Sequence, residues 1–423
     1  SQNSTSLPLI TGFKADRNNQ WTAAQLGITT TPKGSLNLTS ETLELPTVWR
    51  SSLAADKKLG NGWSSTFEIT LTKNLSEIDY MNLNLSAPIG TTVGPDSRLV
   101  YATGGTLGNR VDIPGGNPYT DVILLTNTPS TKDKGFAYNF VASLTKRTNT
   151  GFTFDVNYAF GNSLIMNEGT SSVNYSQWRF TETVNGRNNI NRNISDFSQG
   201  HRIFAYLSKK FSYAKNKLAT TLSLTYTGQS GSPVSYVYAG SSMVRDADPS
   251  GGLTNDLIYV PTEKDLIGMT FLSNTVNGVT FTPDQQKAAL NTYIQNDGYL
   301  KNRRGEFAER NGGRTPFTNI LDVRIAQDFN IKLGKDRVQF QLVYQIANVG
   351  NLINRNWGRN YFASNDQVGL INFVGYVSTT NLTPQYRFNP AFNTNGAFNV
   401  SDSPVPNYGS RWFSQLEFRL NLF

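Results

Sequence analysis

The stretch RVQFQLVYQIAN, residues 337–348, alternates apolar and polar side chains. Successive side chains of an extended strand point to opposite faces, so this stretch has one apolar face and one polar face. The apolar face carries Val338, Phe340, Leu342, Tyr344 and Ile346. The other face carries three glutamines, with Val343 as its one apolar exception. The pattern predicts a strand with an apolar surface on one side and a polar surface on the other.

Eight further stretches repeat this alternation, so the chain is predicted to form nine strands. They are residues 48–56, 63–73, 136–144, 152–160, 201–211, 222–226, 321–331 and 411–423. Turns of about four to six residues alternate with segments of about 40 to 85 residues between them. Within the segments, residues 121–127 are predicted to be strand-like, everything up to Pro46 is predicted to be loop, and one helix is predicted with Thr282 as its cap, Pro283 first and Gly298 as its stop.

The alternation of short turns with long segments is typical of an outer-membrane barrel, which has periplasmic turns and extracellular loops. The apolar face would meet lipid, the polar face would meet water or a plug, and closure of the sheet would satisfy the backbone. The sequence therefore predicts an all-β fold, a transmembrane antiparallel β-barrel with long extracellular loops. A soluble all-β array is the alternative.

Composition excludes several other classes of protein. The longest apolar runs, such as residues 122–125, are far shorter than the roughly 18 residues of a membrane helix. The absence of cysteine excludes disulfides, thiolate nucleophiles and zinc-thiolate sites. The net charge of +8 is spread along 423 residues without a basic stripe, so nucleic acid is not an expected partner.

The number of strands bears on the organisation of the domain. Bacterial single-chain barrels have an even number of strands and both termini in the periplasm, whereas nine strands put the termini on opposite sides of the membrane. Residues 1–423 are therefore predicted to be the C-terminal portion of a larger barrel domain, with the plug domain absent from this chain.

Several motifs together resemble one family. They are VWRSSLAADKKL (48–59), GWSSTFEITLTK (62–73), VILLTNT (122–128), NGRNN (185–189), DFSQGHR (196–202), GQSGSPVSYVY (228–238), NDLIYVP (255–261) and YLKNRRGEFAERNGGRTPF (299–317). They resemble the C-terminal barrel half of Oar-like TonB-dependent receptors of Bacteroidota. The resemblance implies a 22-stranded barrel in the cell outer membrane, of which these strands would be the last nine.

The resemblance also implies a function, the energised uptake of a large nutrient ligand when TonB displaces the plug. The implied partners are the TonB system acting through the missing plug, the remaining N-terminal barrel strands, outer-membrane lipid and other envelope proteins. The alternative function is a receptor-like barrel that serves as a structural or secretion-associated partner in an outer-membrane complex. An enzyme is not expected, because His201 is the only histidine and no nucleophile-base pair is evident.

Candidate ligand-binding residues lie in the long segments. The charged ones are Arg303, Arg304, Arg310 and Arg314, accompanied by Glu306 and Glu309. They are predicted either to touch an anionic ligand or to brace their own loop through ion pairs. The aromatic ones are Trp178, Tyr236, Tyr238, Trp357 and Tyr361, which are predicted either to stack on sugar or peptide or to pack the loops together.

One group of oxygen-bearing side chains is a candidate metal site. It consists of Asp246, Asp248, Asn255 and Asp256. Carboxylate and amide oxygens are the ligands of calcium in proteins, so calcium is the possible cofactor. A solvated turn is the alternative, because Pro249 and two glycines interrupt the run. No other cofactor is expected.

Overall fold

The computed structural model describes residues 16, 19, 34–103, 119–247, 255–333, 336–392, 398–400 and 410–422. Its largest sheet contains nine long strands, each antiparallel to its neighbours and arranged in chain order. They are β1 (Thr47–Gly60), β2 (Trp63–Ser76), β3 (Phe136–Arg147), β4 (Phe152–Ile165), β5 (Gly200–Tyr213), β6 (Leu218–Gln229), β7 (Thr318–Leu333), β8 (Asp336–Ala347) and β9 (Phe413–Leu422). We call these nine strands the wall. The all-β, antiparallel fold and the nine predicted strands are confirmed.

The two faces of the wall differ in the way that the sequence predicts. On β9, Leu416, Phe418 and Leu420 are 67%, 66% and 56% exposed. On the opposite face Asp328 is buried and accepts hydrogen bonds from Lys210 Nζ at 2.9 Å and from Gln341 Nε2 at 2.6 Å. Polar side chains on this face thus satisfy one another across β5, β7 and β8. On the outward face, apolar side chains of neighbouring strands contact one another, as Phe340 and Phe418 do with 4.0 Å between their ring centres.

A smaller sheet forms within the first segments. Gly34–Thr39 pairs in parallel with Tyr119–Asn127, which pairs antiparallel with Ile78–Asn82. The strand-like reading of residues 121–127 is therefore confirmed. The prediction of loop up to Pro46 is wrong for Gly34–Thr39, because this stretch is short and its partner strand is remote in sequence, so local periodicity does not reveal it.

The long segments after β6 and β8 pack into one body, which we call the inserted body. Its five-stranded sheet has the order Thr270–Phe271, Pro384–Arg387, Gln367–Tyr376, Pro233–Gly240 and Gly313–Arg314. A cluster of buried apolar side chains fills it, including Val234, Tyr238, Ile258, Leu290, Ile371 and Phe373. The main apolar core of the described residues therefore lies in the insertions rather than in the wall.

Four helices accompany these sheets in the described residues: α1 (Asn174–Arg179), α2 (Glu263–Gly268), α3 (Pro283–Asn296) and α4 (Val349–Ile353). The predicted helix is α3. Thr282 Oγ1 accepts from the Gln285 amide while Gln285 Oε1 accepts from the Thr282 amide, which forms a capping box before Pro283. None of the helices described here combines the length and the apolar composition that a membrane span requires.

Short elements complete the described structure. The short strands are Gly90–Thr91, Leu99–Val100, Asn193–Ile194, Tyr259–Val260, Asn274–Val276, Val279–Phe281, Glu306–Phe307, Tyr361–Phe362 and Asn399–Val400. Single 3₁₀ turns occupy Arg187–Asn189, Leu300–Asn302 and Ser364–Asp366. Most of these elements lie in the long segments, so the described parts of these segments are folded rather than irregular.

Candidate functional site

The predicted arginines hold the inserted body together. Arg303 Nη1 lies 2.9 Å from Glu306 Oε2 and 3.3 Å from Glu309 Oε1, so this part of the loop is braced by its own ion pairs. Arg304 Nη1 donates to Pro261 O at 3.0 Å. These contacts match the bracing alternative, and a contact with an anionic ligand stays a prediction.

Arg310 and Arg314 reach other segments of the chain. Arg310 is 3% exposed, and its Nη1 donates to Met166 O, just after the end of β4, at 3.0 Å. Arg314 Nη1 donates to Ser198 O at 3.1 Å and to Gly231 O at 3.0 Å. A guanidinium group suits this role, because its donors diverge and can bind carbonyls on two segments at once.

Three of the predicted aromatic side chains are buried. Trp178 donates from Nε1 to Asn188 Oδ1 at 2.8 Å, and Tyr236 donates to Asp297 Oδ2 at 2.6 Å. Tyr238 is fully buried and donates to Asp96 Oδ2 at 2.7 Å. Trp357 is 55% exposed and Tyr361 is half-buried. The buried three pack the loops on one another, whereas Trp357 presents much of its ring to the surroundings.

Three of the predicted metal ligands already bind other groups of the protein. Asp246 is buried in an ion pair with Arg187, and Asp256 Oδ2 accepts from the Met243 amide at 2.5 Å. Asn255 Oδ1 accepts from Gln367 Nε2 at 2.9 Å. Asp248 lies outside the described residues. Asp246, Asn255 and Asp256 are buried, so the alternative of a solvated turn is wrong for these three residues.

Within the described part of the chain, no group of three or more carboxylate or imidazole side chains is placed to hold a metal ion. Arg187 already neutralises Asp246, which makes this carboxylate a poor calcium ligand. The Oδ1 atom of Asp256 accepts no hydrogen bond from the described residues. A calcium site at this position stays a prediction.

Two cavities open where the long segments meet. The first, which we call the acidic cavity, has a volume of about 320 Å³ and is lined by Glu168, Glu182, Asp196, Arg310 and Asp366, among others. Its walls come from the segment after β4, from the residues before β7 and from the residues after β8. Three segments that are far apart in sequence thus converge on one space.

Burial controls the charge of the acidic cavity. It raises the pKa of the Glu168 carboxyl, although the Asp196 amide donates to this group at 2.9 Å. Burial also raises the pKa of Glu182, whose Oε1 accepts from Gln367 Nε2 at 2.9 Å. For Asp366, burial and then the charge of Asp196 raise the pKa. Glu168, Glu182 and Asp366 therefore hold their protons up to a higher pH than they would in water.

The second cavity, which we call the amide cavity, has a volume of about 520 Å³. Four asparagine side chains line it together with Arg192, Arg303, Phe307 and Glu309; they are Asn185, Asn189, Asn191 and Asn193. Glu182 lines both cavities. Amide groups both donate and accept hydrogen bonds, so this surface suits a neutral polar ligand better than a single ion.

The sequence pointed to some of these residues and missed others. Arg303, Arg310 and Asn255 were predicted candidates, and Asn185, Asn189 and Asp196 fall in the motifs NGRNN and DFSQGHR. Glu168, Glu182 and Asp366 were missed, because each lies on a different segment and none belongs to a recognisable local pattern.

His201 has a packing role in the structure. Its Nδ1 lies 2.8 Å from the hydroxyl oxygen of Tyr158, and its ring stacks on Phe160 with 4.5 Å between the ring centres.

No protein-family model matches the chain, and no curated protein matches it. Among solved structures, a mutant of the ferric enterobactin receptor of Pseudomonas aeruginosa is similar, with 11% sequence identity and a TM-score of 0.26. The similarity covers 86% of this chain and 40% of that receptor chain, so this chain spans less than half of that receptor.

Proposed function

We propose that the chain is part of an outer-membrane receptor that takes up a large nutrient ligand with energy delivered by TonB. The observation that carries the proposal is the outward face of the wall, where Leu416, Phe418 and Leu420 are more than half exposed. A contiguous apolar surface of this kind is unfavourable in water and favourable against lipid. The wall then crosses the membrane, and the inserted body lies on the extracellular side.

The rest of the receptor would complete this wall. In the described residues β1 and β9 each pair with a long strand on one side only. An unpaired strand edge is not tolerated in hydrocarbon, because its backbone groups have no hydrogen-bond partners there. We assign the free edges to further strands of the same receptor, and the lumen to a plug domain that contacts TonB.

We assign ligand capture to the acidic cavity, where three long segments meet, and to the amide cavity, where two meet, because the volumes of both lie within the usual range for ligand sites. Of the predicted ligand-binding residues, Arg310 lines the acidic cavity and Arg303 lines the amide cavity. Trp357 lines neither cavity. We assign a supporting role to Arg304, Arg314 and the buried aromatic residues, because they hold the long segments together.

Spin labels test the membrane setting. Labels at Leu342 and Phe418 are expected to respond to oxygen, which is concentrated in hydrocarbon, and labels at Gln341 and Arg419 to a water-soluble nickel complex. The opposite pattern would overturn the proposal, because the apolar stripe would then face the aqueous side.

Growth experiments test uptake. A strain that lacks this gene and a strain that lacks TonB are compared on a panel of limiting nutrients, and both are expected to fail on the same nutrient class. Asn191→Trp, which fills the amide cavity, should reproduce the defect, whereas Asn296→Trp at the exposed end of α3 should not. A normal growth profile, together with a stable envelope complex that forms without TonB, would favour the structural or secretion-associated role instead.

A further inference from the structure

The chain exposes an apolar point just beyond the end of β8. Residues 349–359, which we call the rim tip, begin with α4 and continue through a turn. Leu352, Ile353 and Trp357 of the rim tip are 44%, 72% and 55% exposed. A group of exposed apolar side chains of this kind is typical of a surface that binds a protein, a ligand or a membrane.

The rim tip is held in a fixed shape. Asn351 Nδ2 donates to Arg355 O at 3.1 Å and to Trp357 O at 2.9 Å. Asn348 Nδ2 donates to Gly358 O at 2.8 Å. Gly358 has φ of +59°, and a Cβ at this position would lie 1.8 Å from Asn348 Oδ1, so only glycine fits. The buried Asn348 and the half-buried Asn351 thus fix the backbone of the rim tip, while its apolar side chains stay exposed.

The rim tip is continuous with the outward face of the wall. Asn351 Oδ1 accepts from the Trp412 amide at 3.3 Å, immediately before β9. Trp412 is 43% exposed and is in phase with Leu416 and Phe418, because side chains of a strand alternate with a period of two. The apolar stripe of β9 therefore ends at a tryptophan that adjoins the rim tip.

The rim tip also carries positive charge. Arg355 is exposed, and Arg359 Nη2 donates to Asn356 Oδ1 at 2.6 Å. Neither arginine pairs with a carboxylate among the described residues. Tryptophan and aliphatic side chains next to arginines are typical of a surface that lies at the level of anionic lipid headgroups.

We propose that the rim tip is a lipid-binding element of the outer leaflet. Ile353 and Trp357 enter the boundary between headgroups and acyl chains, and Arg355 and Arg359 bind phosphate oxygens of the headgroups. This inference rests on the membrane setting of the proposed function. It assigns to the rim tip a role in anchoring the inserted body against the membrane, separate from ligand capture.

Single spin labels separate this inference from the proposed function. The chain contains no cysteine, so Ile353→Cys, Leu416→Cys and Ile267→Cys each provide one labelling site in a cysteine-free version of the whole receptor. Leu416 reports on the wall, and Ile267, which is 79% exposed on α2, reports on the water-facing side of the inserted body. In native outer membranes, labels at Ile353 and Leu416 are expected to favour oxygen, and the label at Ile267 the nickel complex.

The outcomes are distinct. If the label at Leu416 favours nickel, the membrane setting of the wall is wrong. If Leu416 favours oxygen while Ile353 favours nickel, the wall stands and the lipid-binding role of the rim tip is overturned. If Ile353 is shielded from both reagents, a protein covers the rim tip, which also overturns the proposal.

The arginines are tested with vesicles of defined composition. In vesicles that contain phosphatidylglycerol, the nickel accessibility of the label at Ile353 should rise several-fold when Arg355→Gln and Arg359→Gln are combined. In pure phosphatidylcholine the same pair of substitutions should change it little, because the net negative charge is absent. An equal response in both kinds of vesicle would overturn the assignment of the two arginines to phosphate.

Discussion

Val343 on β8 lies directly opposite Ala326 on β7, and the two side chains are 2% and 1% exposed. Val343 is the one apolar exception on the polar face of the stretch RVQFQLVYQIAN, residues 337–348. The structure explains it, because this part of the inner face is closed to solvent and a small apolar pair fills it. An exception to the alternating pattern thus marks a packed point of the wall.

Ala326→Leu is expected to destabilise the wall by about 1–3 kcal/mol, because the added methylenes have no room opposite Val343. The measurement is the free energy of unfolding by denaturant in detergent micelles. Ala159→Leu is the matched control, since Ala159 lies on the same face of β4 but is only half-buried. Equal costs at the two positions would contradict the packed arrangement.

Much of the wall could be predicted because each strand is long and only one of its faces is apolar. The inserted body could not, because Pro233–Gly240 is buried along most of its length and so shows no alternation. Its parallel partner, Gln367–Tyr376, also lies more than a hundred residues away in the chain. Pairing of this kind leaves no local signal.

The residues of the candidate site could likewise be predicted only where they belong to a short local motif. Arginine-rich and asparagine-rich motifs are visible as short runs, so Arg303, Arg310 and Asn189 could be found in the sequence. Glu168, Glu182 and Asp366 are ordinary single carboxylates until the fold brings three segments together. Their role depends on burial, which the sequence does not specify at these positions.

Glu182→Gln is expected to stabilise the protein at pH 7 and to leave its stability unchanged near pH 4. Burial raises the pKa of Glu182 in the folded protein, so the folded state holds its proton more tightly than the unfolded state. The unfolded carboxyl titrates at about pH 4.3, and the native state loses stability relative to the variant as pH rises from there through the raised pKa. Glutamine keeps an oxygen that can accept from Gln367.

The measurement for this prediction is the melting temperature of the receptor at a series of pH values between about 4 and 8. Glu41→Gln serves as the control, since Glu41 is an exposed carboxylate outside both cavities. The control should follow the parent protein at every pH. A Glu182→Gln variant that also follows the parent would show that burial does not disfavour the Glu182 carboxylate.

Arg98→Met is expected to destabilise the protein by about 3–5 kcal/mol. Arg98 is fully buried, its Nε donates to Asp96 Oδ1 at 2.6 Å, and its Nη2 donates to Leu257 O at 2.7 Å. Among the described residues, removal of the guanidinium leaves the buried Asp96 carboxylate with the hydroxyl of Tyr238 as its remaining side-chain donor. An unpaired buried charge is the costly part of this change.

Arg98→Met combined with Asp96→Asn should therefore cost less than Arg98→Met alone, because no buried charge is left. Hydrogen exchange of the Tyr101 amide, which donates to Val244 O at 2.8 Å, reports local opening of this region. A double variant whose exchange is at least as fast as that of the single variant would argue against charge pairing as the source of stability.

Two glycines at the β1–β2 turn allow backbone strain to be separated from steric contact. Gly60 and Gly62 have φ of +87° and +78°, which disfavours any residue with a Cβ. A Cβ at Gly60 meets nothing within 4 Å, whereas a Cβ at Gly62 would lie 2.0 Å from Arg147 O on β3. The Arg147 amide also donates to Gly62 O at 2.9 Å, so the turn is pinned to the next hairpin.

Gly60→Ala is expected to cost about 1–2 kcal/mol, the penalty for a left-handed alanine. Gly62→Ala should cost more, because the backbone of β3 must also move away and the hydrogen bond from Arg147 is lost. Unfolding by denaturant gives the two costs, and hydrogen exchange at the Arg147 amide should accelerate only in Gly62→Ala. If both variants leave that amide protected, the close approach of the turn to β3 is wrong.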